Sequence, residues 1–292
     1  MLNWALQCGP QTDTTDLETG WNMAGRPRQS DEAPQGAAAS LLNGLGVLEA
    51  FSIEKPVLGV TEIAQRVGLH KSTVSRILAG LEKARYVQRD DETGRFRLGL
   101  GLIALSGPLL AQLDVRRVAY PELERLTEAT LETSALAVWN GSEAVVVEQI
   151  PSPHLVKHTA AIGTRYSKFE SSSVRMFLAD LPEPKAASLL EQGVVTLKPG
   201  SDPAPDFAEQ LNANREAGYA VNDGLTTPEE FGVSALVRDY KGAAVGCITV
   251  SAPKSRVPES VIDVLAANVM AAAAAVSARL GYQALERPEG DS

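Results

Sequence analysis

Lys71, Ser72, Thr73, Ser75 and Arg76 fall within one short stretch of the chain, and their types suit one kind of chemistry. Hydroxyls and cations donate hydrogen bonds to phosphate oxygens and to the acceptor edges of bases, most effectively from one face of a helix. Val74, Ile77, Leu78 and Leu81 recur at i, i+3, i+4 and i+7, so a helix through them buries that stripe. The helical turn then puts Ser72, Arg76 and Lys83 on the opposite side, flanked by Ser75 and Ala79. Lys71, Ser72 and Thr73 fall in the first turn, where free backbone N–H groups and the helix dipole favour a phosphate. These three are assigned to positioning; Ser75 and Arg76 are assigned to reading.

The flanking sequence supplies what such a helix needs. A preceding helix opens at Gly59, with Glu62 as half of a capping box, and buries Ile63, Ala64 and Val67. Gly68 ends it, because glycine accepts a left-handed conformation at little cost, and Leu69 stays in the core. Beyond the second helix, two short alternating strands over 86–89 and 95–98 surround the turn-rich segment 90–94. Val87, Phe96 and Leu98 are expected to face inward, and Arg95 and Arg97 to point to solvent, placed for a sugar-phosphate backbone or a minor groove. Surface hairpins also carry arginines for solubility alone. Helix, tight turn, helix and hairpin is the order of a winged helix-turn-helix, which makes DNA recognition the leading reading. An earlier helix, with Ser40 as N-cap and Leu41, Leu45, Leu48 and Phe51 as its apolar face, is weakened by Gly44 and Gly46.

The chain has 292 residues, room for two domains, and a net charge of −9. Residues 37–100 carry nine Lys and Arg against seven Asp and Glu, a balance of +2 that leaves −11 for the rest. An acidic body behind a mildly basic head suppresses indiscriminate adhesion to nucleic acid; acidic solubility explains the body equally well. Cys8 and Cys247 are the only cysteines, so there is neither a disulfide framework nor a zinc set, and a cytoplasmic location fits. The apolar run 264–276 is expected to be too short to cross a membrane and to pack as an amphipathic helix. The N-terminus lacks a secretory pattern, and residues 1–36 read as a disordered arm, with Met23 as a possible alternative start. His154 and His158 stand four apart, but Pro151 and Pro153 argue for a loop. With no nucleophile elbow, phosphate loop or dinucleotide fingerprint, no enzyme, metal or cofactor is expected.

Further along, an apolar linker helix is expected near 98–113, carrying Leu102, Leu105, Leu109 and Leu113 and bent near Pro108. A helix follows over 115–131, then strands over 135–139 and 144–150 around Asn140-Gly141, a two-residue hairpin signal. Strands are expected over 156–161, 219–222, 233–237 and 244–251, and helices over 172–179, 185–192, 206–217 and 258–280. A binding pocket belongs where the helix after Ser171 meets the sheet, with Phe169, Ser171, Ser172, Phe231, Gly232 and Ser234 as its candidates. Each has a structural alternative: the serines cap the helix, or Phe231 fills the core.

The run GLHKSTVSRILAGLEKARYVQRDDETGRFRLG resembles the stretch from recognition helix through wing of the IclR family of bacterial transcriptional regulators. Leu113-Asp114, Pro121-Glu122-Leu123-Glu124-Arg125-Leu126, Gly218-Tyr219-Ala220-Val221-Asn222-Asp223 and Thr249-Val250-Ser251-Ala252-Pro253 follow in that family's order, so the likeness spans about residues 40–281. It implies an α+β chain: an N-terminal winged helix-turn-helix joined by a linker helix to a C-terminal GAF-like antiparallel-sheet effector-binding domain. The expected division is 1–36 arm, 37–99 DNA-binding domain, 100–118 linker, 119–283 effector domain and 284–292 disordered tail. The resemblance further implies a homodimer or dimer of dimers on a palindromic operator in double-stranded DNA, controlled by a small metabolite. It adds Asn222, Leu236, Thr249 and Ser251 to the pocket. Two stretches depart from the family pattern. Residues 167–175 read SKFESSSVR, and Glu229-Glu230-Phe231-Gly232 puts Gly232 where a cysteine is frequent. Both departures argue against an anionic effector held by the usual contacts, and for a neutral, larger, cationic or absent ligand. The alternative function is a winged-helix regulator with no small-molecule response, acting constitutively or through protein contacts.

Overall fold

The structure is a computed structural model that describes residues 37–52, 54–112, 114–159, 161–197 and 206–283; the expected arm and tail lie outside these residues. The head begins with α1 (Ala37–Glu49), β1 (Val57–Leu58), α2 (Val60–Val67) and α3 (Lys71–Lys83), and ends with β2 (Val87–Arg89) and β3 (Phe96–Leu98). Ser40 lies inside α1, not at its cap, and Leu41 and Leu45 are exposed; the buried side is Val47, Ala50 and Phe51. Those three pack with Ile63, Val74, Leu78, Val87 and Phe96 in one core. The wing is a three-stranded sheet, because Val57 and Leu58 pair with Arg97 and Phe96 on the outer edge of β3. Leu98 was expected inside but is 45% exposed, since the sheet ends there with little packed over it.

The wing closes tightly onto the start of the next helix. The Gly99 N–H donates to the Tyr86 carbonyl at 2.8 Å and the Gly101 N–H to the Arg85 carbonyl at 3.0 Å. A Cβ at either glycine would stand 2.3 or 2.6 Å from the Arg85 oxygen, so no side chain fits there. From this junction runs α4 (Gly101–Gln112), followed by α5 (Asp114–Thr130). Leu105 and Leu109 of α4 are exposed, as is Ile103, whereas Val115 and Ala119 of α5 belong to the core of the second half.

That half is built from β4 (Thr133–Trp139), β5 (Ala144–Ile150), β6 (Arg165–Tyr166), α6 (Ser172–Asp180), α7 (Glu183–Glu191) and α8 (Asp206–Ala217). It closes with β7 (Ala220–Asp223), β8 (Glu230–Arg238), β9 (Ala244–Pro253), a turn of 3-10 helix at Lys254–Arg256, and α9 (Glu259–Arg279). The strands form a six-stranded antiparallel sheet in the order β6-β5-β4-β9-β8-β7. Helices cover both faces. On one, α5 and α9 pack against Phe231, Val233, Ala235 and Val237 of β8 and against Ile248 and Val250 of β9. On the other, α6 sets Val174, Phe177 and Leu178 among Ala137, Ala220 and Cys247. Together with the head, this is an α+β chain in which a winged helix-turn-helix precedes a GAF-like domain.

Three local expectations are corrected. The β4–β5 connection has four residues, with Trp139 facing Ala144; Asn140 Oδ1 accepts the N–H groups of Ser142 and Glu143 and so organises a longer turn. No strand occupies 156–159, where Leu155 and Val156 are exposed and the Lys157 ammonium bonds the Ser152 carbonyl; β6 pairs with β5 in its place. At 21 residues α9 is long and apolar enough to cross a membrane, so length does not distinguish it. Its packing does: Leu265, Val269, Ala272 and Val276 are buried against the sheet, and its exposed side carries Glu259, Asp263 and Arg279 besides four alanines.

Candidate nucleic-acid interface and ligand recess

The sharp entry into α3 is made by Gly68, in the left-handed region at φ 68°, whose N–H reaches the Ala64 carbonyl. His70 then takes an extended conformation and its carbonyl accepts from the Thr73 and Val74 N–H groups. The N–H groups of Lys71 and Ser72 have no acceptor among the described residues and face outward with the positive end of the helix. Lys71, Ser72, Ser75 and Arg76 are exposed and Thr73 is half-buried; no side chain of these five is hydrogen-bonded or ion-paired to another described residue. Directly beneath them, Val74 and Leu78 are fully buried. The apolar stripe thus fixes the helix while its polar side stays uncommitted.

The wing arginines divide. Arg95 does not project freely: its guanidinium bonds the Glu62 carboxylate at 2.6 Å and the Val57 carbonyl at 3.2 Å, locking the wing to the start of α2. The Gly59 N–H, at 2.7 Å from the same carboxylate, is the main cause that holds Glu62 below its ordinary value; slight burial opposes it and Arg95 adds to it. Arg97 is exposed and touches only Gln88, at 3.2 Å, among the described side chains. Arg89 lies 5.9 Å from the centre of the Phe96 ring, on the same hairpin.

A second site lies where the first turn of α6 meets the sheet. Alternation along β8 decides its wall: Glu230, Gly232, Ser234 and Leu236 share the face toward α6, and Phe231, Val233, Ala235 and Val237 share the other. The recess is narrow, a cavity of about 30 Å³ or room for one water, and is lined by Ser171, Ser172, Asn222, Gly232, Thr249 and Ser251, all expected from the sequence. It also takes Tyr166, Ser173, Thr226 and Glu230, with Ala135, Ala137 and Val146 at its apolar floor. Ser234 sits just behind, joined to Ser172 at 2.8 Å and to Thr249 at 2.7 Å in a chain of hydroxyls. Phe169 stacks 5.2 Å from Phe207 in the α6 core, and Leu236 packs in that core too. Phe231 is fully buried on the opposite side of the sheet and cannot reach the recess; the alternation of β8 is the reason.

Thr226 and Tyr166 are outside the residues expected at the pocket, and Glu230 enters that expectation only through the Glu229-Glu230-Phe231-Gly232 departure. Counting back two from Gly232 along the strand reaches Glu230, and that period was the available signal. The Glu230 carboxylate accepts from the Thr226 hydroxyl at 2.8 Å and pairs with His158 Nε2 at 3.2 Å. Burial pushes this carboxyl up, but His158, with Thr226 and Thr227, outweighs burial and leaves it below its ordinary value. Asn222 is held by three bonds, its amide donating to Thr226 and its oxygen accepting from the Leu225 and Thr226 N–H groups. Burial, aided by the Glu230 charge, pushes the Tyr166 hydroxyl from 10.0 up to about 12. Behind the recess the Cys247 thiol is fully buried and likewise pushed up to about 12, so it is protonated, and unreactive, near neutrality. Arg175 anchors α6 from behind: buried, it donates to the Val221 carbonyl of β7, and burial lowers its value against the opposing charge of Glu170.

An exposed, cation- and hydroxyl-bearing helix on a winged three-helix head, followed by a separate sheet domain, is the architecture of a transcription factor. Comparison with known proteins agrees on the class. Residues 40–91 match the IclR helix-turn-helix domain, and residues 108–278 match the bacterial transcriptional regulator IclR C-terminal domain. The chain belongs to the IclR family of transcriptional regulators. It is similar to the HTH-type transcriptional repressor AllR of Escherichia coli, 29% identical over 237 residues, covering 80% of this chain and 88% of that one. A crystal structure of one domain of an IclR-family regulator is 46% identical and covers 58% of this chain and 98% of its own, with a TM-score of 0.56. An IclR homologue from Microbacterium hydrocarbonoxydans, solved with 4-hydroxybenzoate, shares the fold at a TM-score of 0.69 and 23% identity, covering 82% of this chain and 98% of its own.

Proposed function

We propose that this IclR-family regulator binds a palindromic operator in double-stranded DNA as a homodimer or dimer of dimers in the cytoplasm, and that a small molecule in the α6 recess controls it. Residues 37–99 form the DNA-binding head, 100–118 the linker and 119–283 the effector domain in this reading. The observation that carries it is the uncommitted outer face of α3: Lys71, Ser72 and Thr73 hold phosphates, Ser75 and Arg76 read base edges, and Arg97 meets the backbone from the wing. Arg95 acts mainly by fixing the wing, given its pairing with Glu62.

Dimerisation is supported by the apolar side chains left exposed at Leu100, just before α4, and at Ile103, Leu105 and Leu109 within it, which are more than a monomer's surface needs. Effector control is supported by the recess itself, which combines an apolar floor with convergent hydroxyl, amide and carboxylate groups. The 4-hydroxybenzoate complex of the Microbacterium hydrocarbonoxydans homologue adds a precedent in the same fold. A ligand acts by binding two arrangements of the heads with different affinity. Nuclease footprinting on the DNA upstream of its own gene tests the reading. Two protected half-sites one helical turn or a multiple apart are expected, and protection without symmetry or sequence preference overturns it.

A further inference from the structure

Among the residues that line the α6 recess one is charged, and its charge is negative. Glu230 projects from β8 with its side chain 13% exposed, one oxygen bonded by Thr226 and the other facing His158. His158 belongs to the irregular segment between β5 and β6 and is itself 31% exposed, so it covers this carboxylate from the solvent side. It is the one basic side chain that reaches Glu230 among the described residues, and it is carried by a segment without helix or strand. The other lining groups are hydroxyls, one amide and methyl groups, which carry no charge to answer the carboxylate.

A buried carboxylate is costly unless it is paired, and a second carboxylate brought into the same small space meets a like charge in a medium that screens poorly. The first turn of α6 pulls the other way, offering a positive dipole end with Ser171, Ser172 and Ser173 around it. That end amounts to about half a charge spread over several N–H groups, against the full charge of Glu230. The balance therefore admits a neutral acceptor at α6 and requires a cation at Glu230. Resting on the reading of the recess as the effector site, we propose that the effector carries a positively charged nitrogen, an ammonium or amidinium, that displaces His158 from the Glu230 carboxylate. The ligand's own acceptor, a hydroxyl or carbonyl, then faces the first turn of α6.

The test uses the full chain and two probe series of matched size in which one polar group changes from cationic to neutral to anionic. One is 4-hydroxybenzylamine, 4-hydroxybenzyl alcohol and 4-hydroxybenzoate; the smaller is ethylamine, ethanol and acetate. Thermal shift at up to about 10 mM, followed by calorimetry, ranks each series, since a ligand of the native state raises its melting temperature. In the series that fits, the amine is expected to bind at least about tenfold tighter than the acid. Glu230→Gln, which keeps the hydrogen bond to Thr226, brings that ratio to about one, and His158→Ala tightens the amine by removing its competitor. Preference for the acid in the wild type, or a ratio unchanged in Glu230→Gln, overturns the charge assignment and leaves the effector reading standing. An unchanged amine affinity in His158→Ala overturns the displacement. No shift from any member of either series overturns the effector reading itself. Should Glu230→Gln melt early, the wild-type and His158→Ala rankings decide the matter.

Discussion

The two sites of this chain treat polar side chains in opposite ways. On α3 the hydroxyls and cations, all exposed but the half-buried Thr73, are bonded to nothing else in the head; at the recess two sets, Ser172–Ser234–Thr249 and Asn222–Thr226–Glu230, are already bonded internally. A duplex presents a fixed array of acceptors, so a face that meets it gains by leaving its donors free and its scaffold rigid. A small ligand must be distinguished from water and from other ligands, so a recess gains by presenting groups whose orientation is already set. The recess therefore pays for selectivity at the moment of entry, when one of these internal bonds has to open. The head loses only solvent when DNA arrives.

The contrast can be broken most forcefully from below. Leu78→Ala removes a fully buried side chain from under the reading face and is expected to destabilise the head by about 2–5 kcal/mol in urea unfolding. Arg76→Ala, on the opposite side of the same helix, is expected to leave that unfolding unchanged and to weaken operator binding by about 1–3 kcal/mol in gel shift. If Arg76→Ala destabilises the fold, its face is not uncommitted. The wing sharpens the point: Arg97→Ala is expected to flatten the slope of log K against log salt by roughly 0.9, and Arg95→Ala by less, since Glu62 already answers that charge.

Smaller effects probe the recess. The Tyr166 hydroxyl ionises near 10.0 in the unfolded chain and at about 12 in the fold, so above pH 10 the unfolded state gives up its proton first. Stability is then lost as pH rises from 10 to about 12, by of order 2–3 kcal/mol, and Tyr166→Phe is expected to remove that sag from pH-dependent melts. Smallest of all is Gly232→Ala: the added Cβ would stand 3.4 Å from the Ser172 hydroxyl, an ordinary contact, so stability should hold within about 0.5 kcal/mol. The methyl group narrows the recess, and weaker ligand binding without loss of fold is the expected calorimetric result.

The head was legible in the sequence because its periodicities are unopposed. The stripe of Val74, Ile77, Leu78 and Leu81, the left-handed Gly68 and the Glu62 cap each act over a few residues, and the structure forms them locally. What escaped was settled over longer distances. A strand as short as Val57–Leu58 has no period to detect and exists because Phe96 and Arg97 lie beside it. Val156 has a strand former's side chain, yet the segment after Pro153 is tied by Lys157 and Arg256 to backbone carbonyls and never joins the sheet. In the recess, the small polar residues around Ser171 and Gly232 were visible as a break in an otherwise apolar pattern. Phe231 lies before the strand expected over 233–237, but β8 begins at Glu230, and its alternation sends Phe231 to the α9 side and Glu230 to the recess. Tyr166 reaches the recess only through the pairing of β6 with β5, which no local spacing announces.

Gly99 and Gly101 give the head a mechanical property. Because both press on the Arg85 carbonyl with no room for a side chain, the hairpin, the end of α3 and the first turn of α4 cannot slide past one another. On the proposed reading they would act as a crank, passing a twist of α4 to α3 through this joint. A change of a few degrees at the base would then swing the side chains proposed to read bases out of register, a route for the proposed control that leaves the head folded.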